Sequence, residues 1–351
     1  MNEDDLRAAF ARHEAEAPDV EELHTTINKE AARRRRRRSA VLSTGVAAGV
    51  ALAVSLPIYL TGPATPAGVT AAASSPASRP AKDVNLLLLG SDHRGSWAEG
   101  NARADTIVMV HIPADRKKIY LISVMRDTVL AIPGHGEEKI NAAFYYGLQK
   151  GGAKGGLELV EEALTQLSGV KFDGGAVVEY AALRSITDTL GGVPVCLPQA
   201  LPLERNPIAK PGRELKAGCQ TLNGTDAQAL IQQRYGLPNG GYDRDRNTQR
   251  YLLGVAQKAA QLDLGDAATI LRLVRTPGLT IDLAGITAPE LALQLRNLDA
   301  DDVVALSLSN TFHGDGRGET IPAPGRALLK ALKEGDLAKF AGDHPEMALQ
   351  H

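Results

Sequence analysis

The sequence predicts an α/β (α+β) fold, a single layered extracytoplasmic domain with a central mixed β-sheet flanked by helices and preceded by one transmembrane helix. Three observations predict it. Short apolar runs alternate with amphipathic stretches from Val84 onward, without internal repeats. A composition of 44% hydrophobic and 23% charged residues over 351 positions is that of a globular chain able to bury a sizeable core. An unbroken arginine run, Arg33 to Arg38, is followed by no charged residue until Arg79.

The first elements follow from that charge contrast. Residues 1–38 read as a cytoplasmic arm, acidic until the arginines begin. Residues 39–60 read as the transmembrane helix: the stretch Ala40 to Leu60, AVLSTGVAAGVALAVSLPIYL, has the roughly 20 residues needed to cross a bilayer core of about 30 Å. Arginines directly before such a segment stay in the cytoplasm, so the expectation is a single-pass cell-membrane protein with its C-terminal domain extracellular. The same run could mark nucleic-acid binding, but a formal net charge of -2 and the abutting apolar segment argue against a nucleic-acid partner. A cleaved signal peptide is the other alternative, with Ala64 to Ala77 as cleavage region. The arm is longer than a usual charged n-region, which favours an uncleaved anchor. Residues 61–82, rich in Ala, Pro and Ser, read as a flexible tether.

Residues 83–345 read as one catalytic-sized domain and 346–351 as a tail. VNLLLLG ending at Gly90, TIVMVHI closed by Pro113, and KIYLISV are strand patterns, the last two a hairpin. Gly156 to Ser168 is amphipathic, with Leu157, Val160, Leu164 and Leu167 on one face. AVVEY predicts a strand, followed by a helix through Ile186 and Leu190 that Gly191-Gly192 end. VPVCL is a further short strand. Asn223 and Thr225 are candidate caps of a helix through Ala229 and Ile231. A long helix covers roughly Asp245 to Leu262, and DDVVALSL is one more strand. The two cysteines, Cys196 and Cys219, fall in the exported part, which predicts a disulfide; a pair of buried thiols is the alternative.

Polar residues collect where strands end. GSDHRGS carries Asp92, NARADT carries Arg103 and Asp105, and MRDT carries Arg126 and Asp127. EKINAAF carries Lys139 and Asn141, and IQQRYGLPNGGYDRDRNTQR carries Arg234, Asp243, Arg244 and Asp245. Arginine forks suit phosphate oxygens, and carboxylates beside phosphates hold Mg²⁺. With no Ser-His-Asp set and no Walker loop, the collection points to phosphoryl chemistry by charge stabilisation. Surface salt bridges are the bland alternative, and the better one for any single residue.

In order and spacing, GSDHR, RADTIVMVHI, SVMRDT, EKINAAF and the late R-Y-x-x-x-x-G-x-Y-D-R-D-R stretch resemble the LytR-CpsA-Psr (LCP) family. The resemblance implies a phosphotransferase that moves an anionic glycopolymer from a polyprenyl-pyrophosphate carrier to peptidoglycan, with Mg²⁺ (or Mn²⁺) as cofactor. Carried over, Asp92 and Asp105 are the metal-linked carboxylates, and Arg103, Arg126, Arg234 and Arg244 the pyrophosphate clamp. Arg126 and the two carboxylates are the catalytic set, with Asp105 the leading general base. Lys139 and Asn141 stand at the site's edge, and an apolar cleft takes the lipid tail. Departures are Gln232 where the family often has a second arginine, Gly241 where it tends to have an aspartate, and Asn247 for a later arginine. They keep two alternatives open: a pyrophosphatase acting on the same carrier, and a non-catalytic polyprenyl-phosphate binder.

Overall fold

Apolar runs with no polar alternation predict strands covered on both faces, and the central sheet is built that way. The computed structural model describes residues 82–92, 102–262, 267–284, 295, 298–312 and 316–349. The arm, the transmembrane segment and all but the last residue of the tether lie outside the described residues. Numbered in chain order, the sheet strands are β1 Val84–Ser91, β2 Ala104–Ile112, β3 Ile119–Ser123, β4 Gly174–Glu179, β5 Leu279–Leu283 and β6 Val303–Ser307. Their order is β5-β4-β1-β2-β3-β6. The sheet is mixed, as the sequence predicts: β1 runs parallel to β4 and β3 to β6, while β2 is antiparallel to both of its neighbours. Leu279–Leu283 carries no strand expectation in the sequence, yet it closes one edge antiparallel to β4.

Seven helices surround the sheet among the described residues: α1 Ile140–Ser168, α2 Tyr180–Thr189, α3 Gly224–Gln232, α4 Gly241–Ala259, α5 Ala267–Val274, α6 Ala323–Glu334 and α7 Leu337–Asp343. Alternation along β1 assigns the layers. Leu87 and Leu89 pack with Phe144, Leu157 and Leu164 of α1 and with Leu328 and Leu332 of α6. Leu86 faces the other way, with Val108, Val110, Leu121 and Ala256 of α4. A third cluster joins α2, α3 and α4 to the strands Val193–Leu197 and Gly218–Leu222, which pair antiparallel.

Two helices begin earlier than their sequence patterns suggest. α1 starts 16 residues before Gly156, and its two halves meet at Gly151 and Gly152, the latter at φ 63. There the chain folds sharply enough that a Cβ on Gly156 would lie 2.6 Å from the Phe144 ring. Glycine lets the halves touch, and the same glycines erase the apolar period. α4 starts at Gly241 rather than Asp245, and Asn223 caps α3 by accepting from the Asp226 amide at 2.9 Å. The fold also reaches past residue 345, where the sequence predicts a tail: Met347 is buried, and the Leu349 amide donates to the Ala305 carbonyl at 2.9 Å. Cys196 and Cys219 are disulfide-bonded across register-paired positions of the two antiparallel strands.

Candidate active site

Strand directions bring the polar segments to one edge of the sheet. The C-terminal ends of β1, β3 and β4 and the N-terminal end of β2 all lie there. That is where open α/β sheets place ligands. Asp92, Asp105, Arg126, Arg234 and Arg244 line one cavity of about 300 Å³, together with Tyr180, Arg205, Gln232 and Tyr235.

The floor is tightly organised. Asp105 accepts from Arg126 Nη1 through one oxygen and from the Tyr180 hydroxyl, at 3.1 Å, through the other. Arg126 also donates Nε to Asp127 at 3.2 Å, and Asp127 pairs with Lys139 at 3.2 Å. Burial works against the Arg126 charge, but Asp105 and Asp127 outweigh it and raise its pKa further. Arg244 is 7% exposed. Its pKa is lowered by burial first and by Arg126 second, against the pull of Asp105. Two arginines held that close, one of them desolvated, form a site that gains by admitting an anion. Tyr180 stays protonated, its pKa raised by burial and then by the Asp105 charge.

Not every sequence-predicted residue joins the cavity. Arg103 is exposed and outside the lining of this cavity. Its backbone instead pairs with Asp92, the Arg103 amide donating to Asp92 Oδ1 at 2.7 Å. Lys139 and Asn141 stand one layer behind. Lys139 braces Asp127, and the Asn141 amide donates to the Arg126 carbonyl at 3.2 Å. The Asn141 side-chain oxygen is buried without a hydrogen-bond partner among the described residues. Asp243 is engaged at the start of α4 with Asn239, not in the cavity.

Tyr180 and Arg205 escape sequence reasoning. Tyr180 reads as the last residue of a strand but is the first of α2. Arg205 lies in a loop with no pattern around it. Asp245, half-buried beside Arg244 on α4, accepts from Ser307 at 3.3 Å, and its pKa is pushed up to about 6, chiefly by desolvation.

A second, apolar cavity of about 90 Å³ adjoins the first. Asp105, Tyr180 and Ile231 line both, and Leu88, Leu183, Tyr251 and Leu252 are among the other walls of the second. For a divalent cation, the donor set fits a particular kind of site. No group of three or more His, Cys, Asp or Glu capable of holding a metal occurs among the described residues. Asp92 and Asp105 supply two carboxylates, which suits an ion such as Mg²⁺ that completes its shell with water and substrate phosphate.

The cell wall biosynthesis protein LcpA of Corynebacterium glutamicum is 29% identical over 276 residues, 67% of this chain and 51% of that protein. The regulatory protein MsrR of Staphylococcus aureus is 27% identical over 209 residues, 59% of this chain and 57% of that one. The chain thus spans about half the length of the curated relatives it matches. The B. subtilis TagV structure superposes with a TM-score of 0.57 at 19% identity, covering 74% of this chain and 98% of that chain. TagT bound to LI-WTA does so with 0.55 at 22% identity, covering 73% and 91%. At these identities the structural likeness shows the fold. A model of the LytR_cpsA_psr family matches residues 63–314, most of the chain and every charged residue lining the cavity, and the protein belongs to that family.

Proposed function

We propose that the protein is a phosphotransferase that moves an anionic glycopolymer from a polyprenyl-pyrophosphate carrier to peptidoglycan, forming a phosphodiester link at the outer face of the cell membrane. One observation carries this reading. Arg126, Arg234 and Arg244 converge with Asp92 and Asp105 on a cavity that shares Tyr180 and Asp105 with an apolar one. A pyrophosphate with a prenyl tail has those two chemistries side by side. The name of LcpA and the LI-WTA held by TagT support the same substrate class.

Arg126 is bound to Asp105. An incoming pyrophosphate competes for that guanidinium, whose planar fork suits phosphate oxygens as well as carboxylate. As Arg126 turns to the phosphate, one Asp105 oxygen is released and can accept the proton of an acceptor sugar hydroxyl. That hydroxyl oxygen bonds to the sugar-linked phosphorus, and the bond from this phosphorus to the bridging oxygen breaks. Polyprenyl phosphate leaves with the electron pair, its charge met by Arg126 and Arg244. Mg²⁺ (or Mn²⁺), for which Asp92 and Asp105 are the holding residues, would supply further neutralisation of the phosphate oxygens.

The test incubates the full chain in detergent with a polyprenyl-pyrophosphate glycan, Mg²⁺ and peptidoglycan fragments, followed by mass spectrometry. A glycan-phosphate adduct on the acceptor is expected. Glycan phosphate and polyprenyl phosphate without adduct would make the protein a pyrophosphatase, and tight lipid binding without turnover would make it a lipid-binding protein.

A further inference from the structure

The rim of the polar cavity is built differently from its floor. Asp105, Arg126, Tyr180 and Arg244 at the floor are buried or half-buried, whereas Arg205, Pro207, Arg234 and Tyr235 are exposed. Tyr235 is 52% exposed, and only Phe312 is a more exposed large hydrophobic among the described residues. Exposed aromatics beside a functional cavity mark contact surfaces more often than isolated ones do. The Arg205 guanidinium stands 5.2 Å from the Tyr235 ring centroid.

This pair rests on a buried scaffold. Gln233, 1% exposed, donates Nε2 to the Tyr235 carbonyl at 2.7 Å and to the Glu204 carbonyl at 3.1 Å. Its side-chain oxygen accepts from Asn206 Nδ2 at 2.9 Å, and that amide also reaches the Ala229 carbonyl at 2.9 Å. Arg205 itself sits at φ 51, in the left-handed region that non-glycine residues rarely adopt. Two loops far apart in sequence are thus stitched together by side chains directly beside Arg205 and Tyr235. A merely solvated surface pair needs no such scaffold, whereas a contact surface gains from rigidity.

We propose that Arg205 and Tyr235 form a platform for the sugar ring that carries the pyrophosphate. A pyranose ring offers a face of C–H bonds and an edge of hydroxyls. The C–H face stacks against an aromatic ring, whose face carries negative charge density. The hydroxyls accept from the guanidinium fork. Tyrosine supplies this area with little entropy to lose on binding. Phosphates held on the floor by Arg126 and Arg244 direct the next group outward across the rim, and on a glycan carrier that group is the first sugar. The inference rests on the pyrophosphate reading of the floor.

The full chain in detergent is titrated with two probes, undecaprenyl pyrophosphate and undecaprenyl pyrophosphate bearing one N-acetylhexosamine. Tyr235→Ala is expected to weaken binding of the sugar-bearing lipid by about tenfold, the scale of one aromatic contact, and to leave the bare lipid unchanged. Arg205→Ala should act in the same direction, and Tyr235→Phe should bind both probes as the parent does. Equal weakening of both probes, or no change in either, overturns the platform while leaving the pyrophosphate site standing. A parent protein that binds neither probe overturns the pyrophosphate site and the platform with it.

Discussion

Tyr180 donates its hydroxyl to Asp105 at 3.1 Å, so the first residue of α2 fixes a carboxylate carried by β2. Behind that bond runs a line of uncharged groups that ends on an arginine. Tyr180 is hydrogen-bonded to Gln232, and Gln232 accepts from Gln228 at 3.0 Å. Gln228 in turn accepts from Arg184. Gln232 is the position where the family often carries a second arginine, and here it supports Asp105 through a phenol.

Removing the hydroxyl isolates its effect. Tyr180→Phe leaves the apolar wall intact and deprives Asp105 of one partner, a loss of about 1–3 kcal/mol at a half-buried carboxylate. Transfer is expected to slow by about tenfold or more, with denaturant unfolding shifted by no more than that range. Unchanged turnover in a folded variant would show that Arg126 alone positions Asp105.

Arg126→Ala should lower transfer by at least about a hundredfold, the scale of losing one charge-stabilising donor. Arg126→Lys keeps a charge but not the planar fork, and should fall between the two. The check is the rate of adduct formation by mass spectrometry, read beside circular dichroism of each variant.

Asp245 makes stability depend on pH. Its pKa is raised to about 6 in the fold, from the ordinary aspartate value of 3.8. Between these values the folded chain binds more protons than the unfolded one, so stability falls as pH rises through that window. Full expression of the shift corresponds to about 3 kcal/mol. Urea unfolding at pH 4 to 7 should show this decline in the parent and a flatter profile in Asp245→Asn. Parallel profiles would place the titration elsewhere.

Replacing Cys196 and Cys219 with alanine opens a loop whose ends are 23 residues apart in sequence. In the chain-entropy account such a loop is worth about 3 kcal/mol. Chemical denaturation should register a loss near that figure, reproduced in the parent by reductant.

How legible each feature is in the sequence follows from what buries it. β2 and β3 announce themselves because packed layers cover both of their faces, leaving continuous runs such as IVMVHI and IYLIS. The start of α4 is hidden because Arg244, Asn247, Thr248 and Gln249 are its buried residues there, so no apolar stripe forms. Gln249 shows why they are inside: it donates to Ser123, Ser307 and the Leu306 carbonyl at 2.9–3.0 Å. In the candidate site, Asp92, Asp105, Arg126 and Arg244 are visible as charges at strand and helix ends. Arg205 and Tyr180 become visible only when loops and strand ends are placed in space.

The floor carboxylates hang on β1 and β2, the inner strands of a six-stranded sheet, while Arg205 and Tyr235 ride on loops. Local opening is graded in the same way: central strands exchange their amide hydrogens only when the whole domain unfolds, and loops exchange by small excursions. The Gln233 hydrogen bonds tie the two rim loops to each other, so the rim holds its shape as one unit and can open without disturbing the register of Asp92 and Asp105. A rare opening of that edge would exchange the sugars of a lipid-linked chain and leave the groups that hold its phosphates in place.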